Sequence, residues 1–317
     1  MKPMKYRALV HDYRVRGFYL ITINKVAEAP EFSQLTGDPA IPNRTSGCPS
    51  VVLLTAGRAV YLGLHQFLEA NPSFLIIRSI IMPDHLHLVL FVKERLPKAL
   101  GYYMASLKGA CSRAVWTAMP ELGLSRNRSP LFERGYNDRI LFRDIQLDSF
   151  LHYVDDNPRR LLVRRLNRDY FQRVNNFALN GKQLSAYGNL FLLNDPQKVA
   201  VKVSRKYSPE ELRQRKLSWL RTIENGGVIV SPFISPAEKK VRDWAMANGG
   251  KIIQIMTNGF PERYKPTETF FNYCAKGKLL QIAPAHYQTS KLELTYKLAA
   301  SLNSIAASIA SSPPIIL

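Results

Sequence analysis

One short run constrains this chain more than any other: Met82-Pro83-Asp84-His85-Leu86-His87-Leu88-Val89-Leu90-Phe91-Val92. An apolar, β-branched stretch of this length reads as a strand. Ile76, Ile77, Ile80 and Ile81 just before it read as its neighbour, joined through a tight turn at Met82-Pro83-Asp84. Side chains at i and i+2 of a strand leave the same face. His85 and His87, two of the six histidines in the sequence, are therefore expected side by side, with Leu86 turned into a core behind them. Two neutral imidazoles so placed can hold one divalent metal if a third ligand comes from elsewhere. The same pair also reads as two sheet-surface histidines with no ligand, so the rest of the chain must decide.

Around this run the pattern is that of a small mixed domain. Residues 17–24 (GFYLITIN) form a first strand, and residues 30–49 a long Pro/Gly/Ser/Thr loop. Residues 56–69 have helical spacing, with Val60, Leu64 and Phe67 on one face. A helix over 97–118 carries the stripe Leu100, Met104, Leu107, Cys111 and Val115. A weakly alternating strand follows at 131–142. Asp144 then caps a helix running to Asp156 and ended by Asn157-Pro158. Strand, helix, strand, strand, helix, strand, helix predicts an α+β fold, an antiparallel sheet with helices against one face.

That last helix holds the second chemical feature. Tyr153 and Asn157 are four residues apart and share a helix face. A tyrosine hydroxyl can attack a phosphodiester when a metal polarises the phosphate, and an amide oxygen can complete a two-histidine site. Taken singly, Tyr153 reads as an amphipathic-helix tyrosine and Asn157 as a helix end before proline. His152 diverges by about 100° from Tyr153 and reads as a surface or packing residue. Asp84 reads as a turn residue and Asp138 as a local partner of Arg139. Arg159, Arg160, Arg164, Arg165 and Arg168 follow as a dense basic run, either a solvated face or a contact for a phosphate backbone. Lys108 and Arg113, with Tyr102 and Tyr103, are further candidates for phosphate and stacking contacts with a single strand.

Lys and Arg number 44 against 24 Asp and Glu, a net charge of +20. This excess favours a polyanionic partner, nucleic acid ahead of an anionic membrane surface. Three widely spaced cysteines, Cys48, Cys111 and Cys274, imply neither a disulfide framework nor a cysteine zinc site. No apolar run reaches signal-peptide or membrane-spanning length. The expectation is a cytoplasmic protein.

Together, GFY-x-x-T, MPDHLHLVL, Gly135-Tyr136-Asn137-Asp138-Arg139 and the Y-x-x-x-N-P helix with its basic residues resemble the HUH single-tyrosine transposases. The REP-associated tyrosine transposases are the nearest group, over about residues 5–175. The resemblance implies a ferredoxin-like HUH domain. It implies Mg2+ or Mn2+ held by His85 and His87 with help from Asn157. Tyr153 would be the nucleophile that forms a 5′-phosphotyrosine on single-stranded DNA with a hairpin, in a monomer or homodimer. The alternative is a domesticated hairpin-DNA-binding protein with little or no cleavage. A water-using, metal-dependent hydrolase is a third reading.

The remainder reads as a smaller α/β layer. Ser208 to Glu211 is a helix-start signal, with Ser208 as N-cap and Glu211 at the capping-box position, and a second helix is expected to open near Ser235-Pro236-Ala237-Glu238. Buried-type strands are expected within 226–235, 251–256 and 279–283. Residues 226–236 (GGVIVSPFISP), Asn258-Gly259-Phe260 and Tyr264-Lys265-Pro266 resemble a truncated DprA/LOG-like Rossmann domain. The glycine-rich loops of a complete one are missing, and a lost ancestral site is the favoured reading. A phosphate at the helix opening near Ser235 is a further option. The predicted division is a catalytic domain over 1–178, a linker over 179–206, a Rossmann-like domain over 207–295 and a fraying tail over 296–317.

Overall fold

The computed structural model describes residues 11–41, 43, 45–122, 130–141, 147–204, 207–262, 264–290, 292–313 and 315. Asp144, the expected helix cap, and residues 1–10 lie outside them. The chain separates into two units at Val163/Arg164.

In the first unit, β1 (Gly17–Asn24), β4 (Phe74–Ile81), β5 (His85–Val92) and β6 (Asn137–Leu141) form an antiparallel sheet in the order β4-β5-β1-β6. A short ribbon, β2 (Ser33–Thr36) with β3 (Ser50–Leu53), occupies the long loop. Strand alternation sorts the sheet's two faces. Tyr19, Ile21 and Ile23 of β1, with Leu86, Leu88, Leu90 and Val92 of β5, enter one core with α1 (Thr55–Ala70) and α2 (Leu100–Ala118). Leu20 and Val89 point the other way and are covered by α3 (Leu147–Asp155). The expectation of helices on one face is therefore corrected: a sheet apolar on both faces needs cover on both. The helices α1 and α2 cross closely at Gly63, where an added Cβ would lie 2.5 Å from Cys111 Cα. Residues 131–136 are not strand, although Leu131 and Phe132 are buried.

After α4 (Asn157–Leu166), which crosses the division, the second unit begins. Its strands are β7 (Gln172–Leu179), β8 (Lys182–Gly188), β9 (Lys198–Ala200), β10 (Val228–Ser231), β11 (Lys251–Ile255) and β12 (Leu279–Pro284). They form one sheet in the order β7-β8-β12-β11-β10-β9. Residues 172–200, expected as a domain end and a linker, thus supply three of its strands; their weak alternation hid this. Strands β9 to β12 are parallel, β8 adds antiparallel to β12, and β7 adds antiparallel to β8.

The crossover helices are α5 (Pro209–Glu224), α6 (Pro236–Ala247) and α7 (Glu268–Ala275). The first opens with the expected capping box at Ser208/Glu211, and the second, at the expected helix start, adds another at Ser235/Glu238. The parallel strands run 9-10-11-12 in chain order, without the order reversal that makes the nucleotide crevice of a doubly wound sheet. What stands is a parallel α/β layer with an antiparallel extension. The expected fraying tail is instead α8 (Tyr296–Ser311), which buries Leu302, Ile305, Ala306 and Ile309 against Val228, Val230, Ile253 and Leu280. Its i, i+3, i+4, i+7 spacing makes it an amphipathic helix despite its Ala/Ser content.

Candidate functional site

The site lies on the α3 face of the first sheet. Thr22 of β1 pairs with His87 of β5, and Asn24 with His85. The turn before His85 is held at its backbone: Lys25 N–H donates to the Asp84 carbonyl at 3.0 Å and Phe32 N–H to the Pro83 carbonyl at 3.0 Å. The two imidazoles stand together as the i, i+2 spacing requires, ring centroids 4.6 Å apart at 83°. Leu86 is buried behind them.

Each histidine has a partner at Nδ1. For His85 it is the Asp84 carboxylate at 2.6 Å; for His87 it is Thr22 Oγ1 at 2.8 Å. A carboxylate at Nδ1 holds the tautomer that leaves Nε2 with its lone pair. His85 Nε2 is buried and has no hydrogen-bond partner among the described residues. Asp84, read from sequence as a turn residue, and Thr22 are thus orienting groups that the sequence reading missed. Thr22 becomes visible only once the β1–β5 register is known.

The apolar stripe Leu147, Phe150, Leu151 and Val154 lays α3 onto Leu20, Ile77, Ile80 and Val89. That packing turns Tyr153 toward the histidines, its ring 5.6 Å from that of His87 at 71°. Arg160 stands 6.0 Å over the Tyr153 ring. The helix breaks at Asp156 and restarts at Asn157, which is buried at the start of α4 rather than closing α3. Asn157 Nδ2 donates to the Tyr153 carbonyl at 2.6 Å, so Oδ1 is the amide atom whose lone pairs could meet a cation.

The donor set suits a divalent cation only in part. The imidazoles of His85 and His87 and the amide oxygen of Asn157 are the candidate donors, whereas no group of three His, Cys, Asp or Glu that could hold a metal occurs among the described residues. Nitrogen and amide donors suit Mn2+ at least as well as Mg2+, which favours oxygen ligands and water.

The basic candidates divide. Arg159 is ion-paired with the buried Asp156 at 2.6 Å, and Arg160 is buried. Arg165 and Arg168 are exposed, and Arg164 is half-buried. Helix α4 ends at Leu166, so Arg168 does not share a helical face with Arg160 and Arg164. Lys108 donates to the backbone carbonyls of Glu133 and Gly135, and burial lowers its pKa. Arg113 is exposed on the same helix. Both sit on α2, across the sheet from the histidines. Tyr102 is exposed, with the Lys98 ammonium 3.9 Å above its ring. Asp138 accepts from Tyr13 Oη at 2.7 Å, which corrects its expected pairing with Arg139. His152 is exposed, as expected. At the Ser235 helix opening, the Glu238 carboxylate accepts from Ile234 and Ser235 N–H, so it occupies the place considered for a phosphate.

No protein-family model and no curated protein matches the chain. Among solved structures it is similar to a REP-associated tyrosine transposase bound to a REP hairpin. That match has 13% identity and a TM-score of 0.33, over 49% of this chain and 72% of the other. It is similar to DNA processing protein A from Helicobacter pylori, a structure concerned with single-stranded DNA binding. Here identity is 16% and TM-score 0.31, over 44% and 67%. A Deinococcus radiodurans protein assigned as a transposase matches with 16% identity and a TM-score of 0.27, over 48% and 96%. The likeness is distant, and the site is read from its own geometry. No helix among the described residues is long and apolar enough to cross a membrane.

Proposed function

We propose that this chain is a metal-dependent, single-strand DNA transposase or endonuclease of the HUH single-tyrosine kind, acting at hairpin-bearing DNA. The observation that carries the reading is the His85/His87 pair, each held at Nδ1, with the Tyr153 ring against His87. A nucleophile beside an oriented pair of metal-ligating side chains is the arrangement that phosphodiester transfer requires. The net charge of +20 agrees with a polyanionic substrate.

His85 and His87 would hold Mn2+ or Mg2+, with Asn157 Oδ1 as the protein's third donor. A bound cation polarises the scissile phosphate and offsets the charge that develops in displacement. Asp84 and Thr22 keep the imidazoles aimed. Tyr153 Oη attacks phosphorus, giving its proton to solvent, and the departing 3′ oxygen takes one proton up in its place. A phenolic O–P bond forms at the 5′ side as the bond to the 3′ oxygen breaks, leaving a 3′-OH. Attack by a 3′-OH on the phosphotyrosine reverses the exchange and joins DNA ends. The phosphodiester energy is conserved and no nucleotide cofactor is consumed.

The test is incubation of the full chain with a panel of single-stranded hairpin oligonucleotides and Mn2+, followed by denaturing electrophoresis. A denaturant-resistant adduct, mapped by mass spectrometry to Tyr153 and lost in Tyr153→Phe, is the expected result. An adduct on Tyr136 or Tyr170 overturns the assignment. Hairpin binding without cleavage returns the domesticated binding protein, and cleavage without an adduct the water-using hydrolase.

A further inference from the structure

The joint between α3 and α4 carries two adjacent acids that point to different anchors. Asp155 pairs with Arg78 of β4 at 3.3 Å. Asp156 is buried and its carboxylate accepts three hydrogen bonds: Arg159 donates to both oxygens, at 2.6 and 3.0 Å, and Asn43 Nδ2 donates to Oδ1 at 2.9 Å. Asn43 belongs to the long loop between β2 and β3, 113 residues earlier in the chain. A carboxylate buried this deeply is tolerated only when its acceptor sites are filled, so the loop residue contributes one of the bonds that keep Asp156 in place. The backbone runs through the same point, with Asp156 N–H donating to the His152 carbonyl and Arg160 N–H to the Asp156 carbonyl. Arg160 is the residue over the Tyr153 ring.

We propose that Asp156 is a positioning residue for Tyr153, and that Asn43, Arg159 and the Asp155–Arg78 pair complete a clamp that fixes the roll of α3. The inference rests on the reading of Tyr153 as nucleophile. One turn of α3 separates the clamp from Tyr153, and its apolar stripe resists lift from the sheet more strongly than rotation on it. Two anchors at the helix end, an ion pair to a strand and an amide-to-carboxylate hydrogen bond to a loop, resist rotation. Rotation is the motion that would carry the Tyr153 hydroxyl away from the histidines.

The test compares Asn43→Ala, Asp156→Ala and Asp156→Asn in the full chain, with two readouts. One is the rate of adduct formation at saturating hairpin DNA with Mn2+, set against the hairpin Kd. The other is hydrogen–deuterium exchange over residues 147–155. Asp156→Asn keeps an acceptor for Asn43. The expected result is a rate about 10- to 100-fold lower in Asp156→Ala and Asn43→Ala, the scale of a small misplacement of a reacting group. Hairpin Kd should be unchanged, exchange over 147–155 faster, and both effects partly rescued in Asp156→Asn. If wild-type protein forms no adduct, the nucleophile reading fails, and the exchange readout alone decides whether the clamp exists. If wild-type protein forms the adduct while Asn43→Ala and Asp156→Ala match it in rate and exchange, the clamp is overturned. A lowered rate with equally weakened hairpin binding and unchanged exchange also overturns it.

Discussion

The Asp84 carboxylate and the His85 imidazole, neighbours in sequence, meet side chain to side chain at 2.6 Å, Oδ1 to Nδ1. His87 is flanked in sequence by Leu86 and Leu88, and its Nδ1 meets Thr22 of the adjacent strand. The two histidines are thus oriented by different means, one local and one through strand register.

Removing either orienting group should weaken metal binding without removing a ligand. Asp84→Ala and Thr22→Val are each expected to lower Mn2+ affinity by about 10- to 100-fold. The His85→Ala, His87→Ala double variant should abolish it together with cleavage. Under the proposed function, hairpin binding through phosphate contacts should survive in all of them. Titration calorimetry with Mn2+ checks the order. Wild-type affinity in Asp84→Ala would make that hydrogen bond incidental to the metal site.

The five arginines should not behave alike. Arg164→Gln, Arg165→Gln and Arg168→Gln together are expected to flatten the salt dependence of single-strand binding. The log–log slope should fall by up to about 0.7 for each phosphate that the variant no longer neutralises. Arg159→Gln removes a partner of buried Asp156 and should act on stability and cleavage rate first. Binding isotherms over a salt series separate the two classes, and an unchanged slope in the triple variant would return those arginines to an ordinary solvated face.

Gly63→Ala should destabilise the first unit by about 1–3 kcal/mol, the usual range for overpacking. The added methyl meets backbone, Cys111 Cα at 2.5 Å and Cys111 N at 2.7 Å, so α1 and α2 must separate. The gain in helix propensity from Gly to Ala, up to about 1 kcal/mol, is too small to offset this. Urea unfolding monitored by circular dichroism gives the sign, and a stabilised variant would contradict the close crossing.

Stability should decline at alkaline pH. Burial pushes Tyr264 and Tyr273 up to about 12 from 10.0, and Cys274 up to about 12 from 9.0. In the first unit burial does the same to Tyr19 and Cys111. The unfolded chain gives up these protons first, so from about pH 9 to about pH 12 the folded state binds more protons and unfolding becomes easier as pH rises. Below that window both states are protonated and the contribution is complete. Urea midpoints across the window, with tyrosinate absorbance as the probe, should fall together. Ionisation of all fifteen tyrosines near their ordinary pKa in the folded protein would refute the burial assignment.

How much was legible depended on how local the signal was. The histidine strand, the turn before it, the Ser208/Glu211 capping box and the stripes of α1 and α2 are patterns local in sequence, and the fold keeps them. Strands β7 to β9 escaped because their residues alternate weakly: β7 and β8 form a hairpin across Asn180-Gly181, and β8 joins the sheet only through β12, about a hundred positions away. Helix α8 had the right periodicity, and its Ala/Ser content disguised it. The Lys108 side chain shows the opposite error, a lysine that composition offers to DNA and that packing commits to two backbone carbonyls.

The sequence by itself determined that His85 and His87 share a face, because a strand's period of two admits no other placement. It also determined that Tyr153 lies one helical turn before Asn157. Only the tertiary structure decided that Tyr153 meets His87, since that depends on α3 covering the sheet face opposite α1 and α2. It alone chose Thr22 as the partner of His87, through the β1–β5 register, and joined Asn43 to Asp156 across a loop. Such contacts arise from the burial of surfaces remote in sequence, and no local spacing encodes which two surfaces will meet.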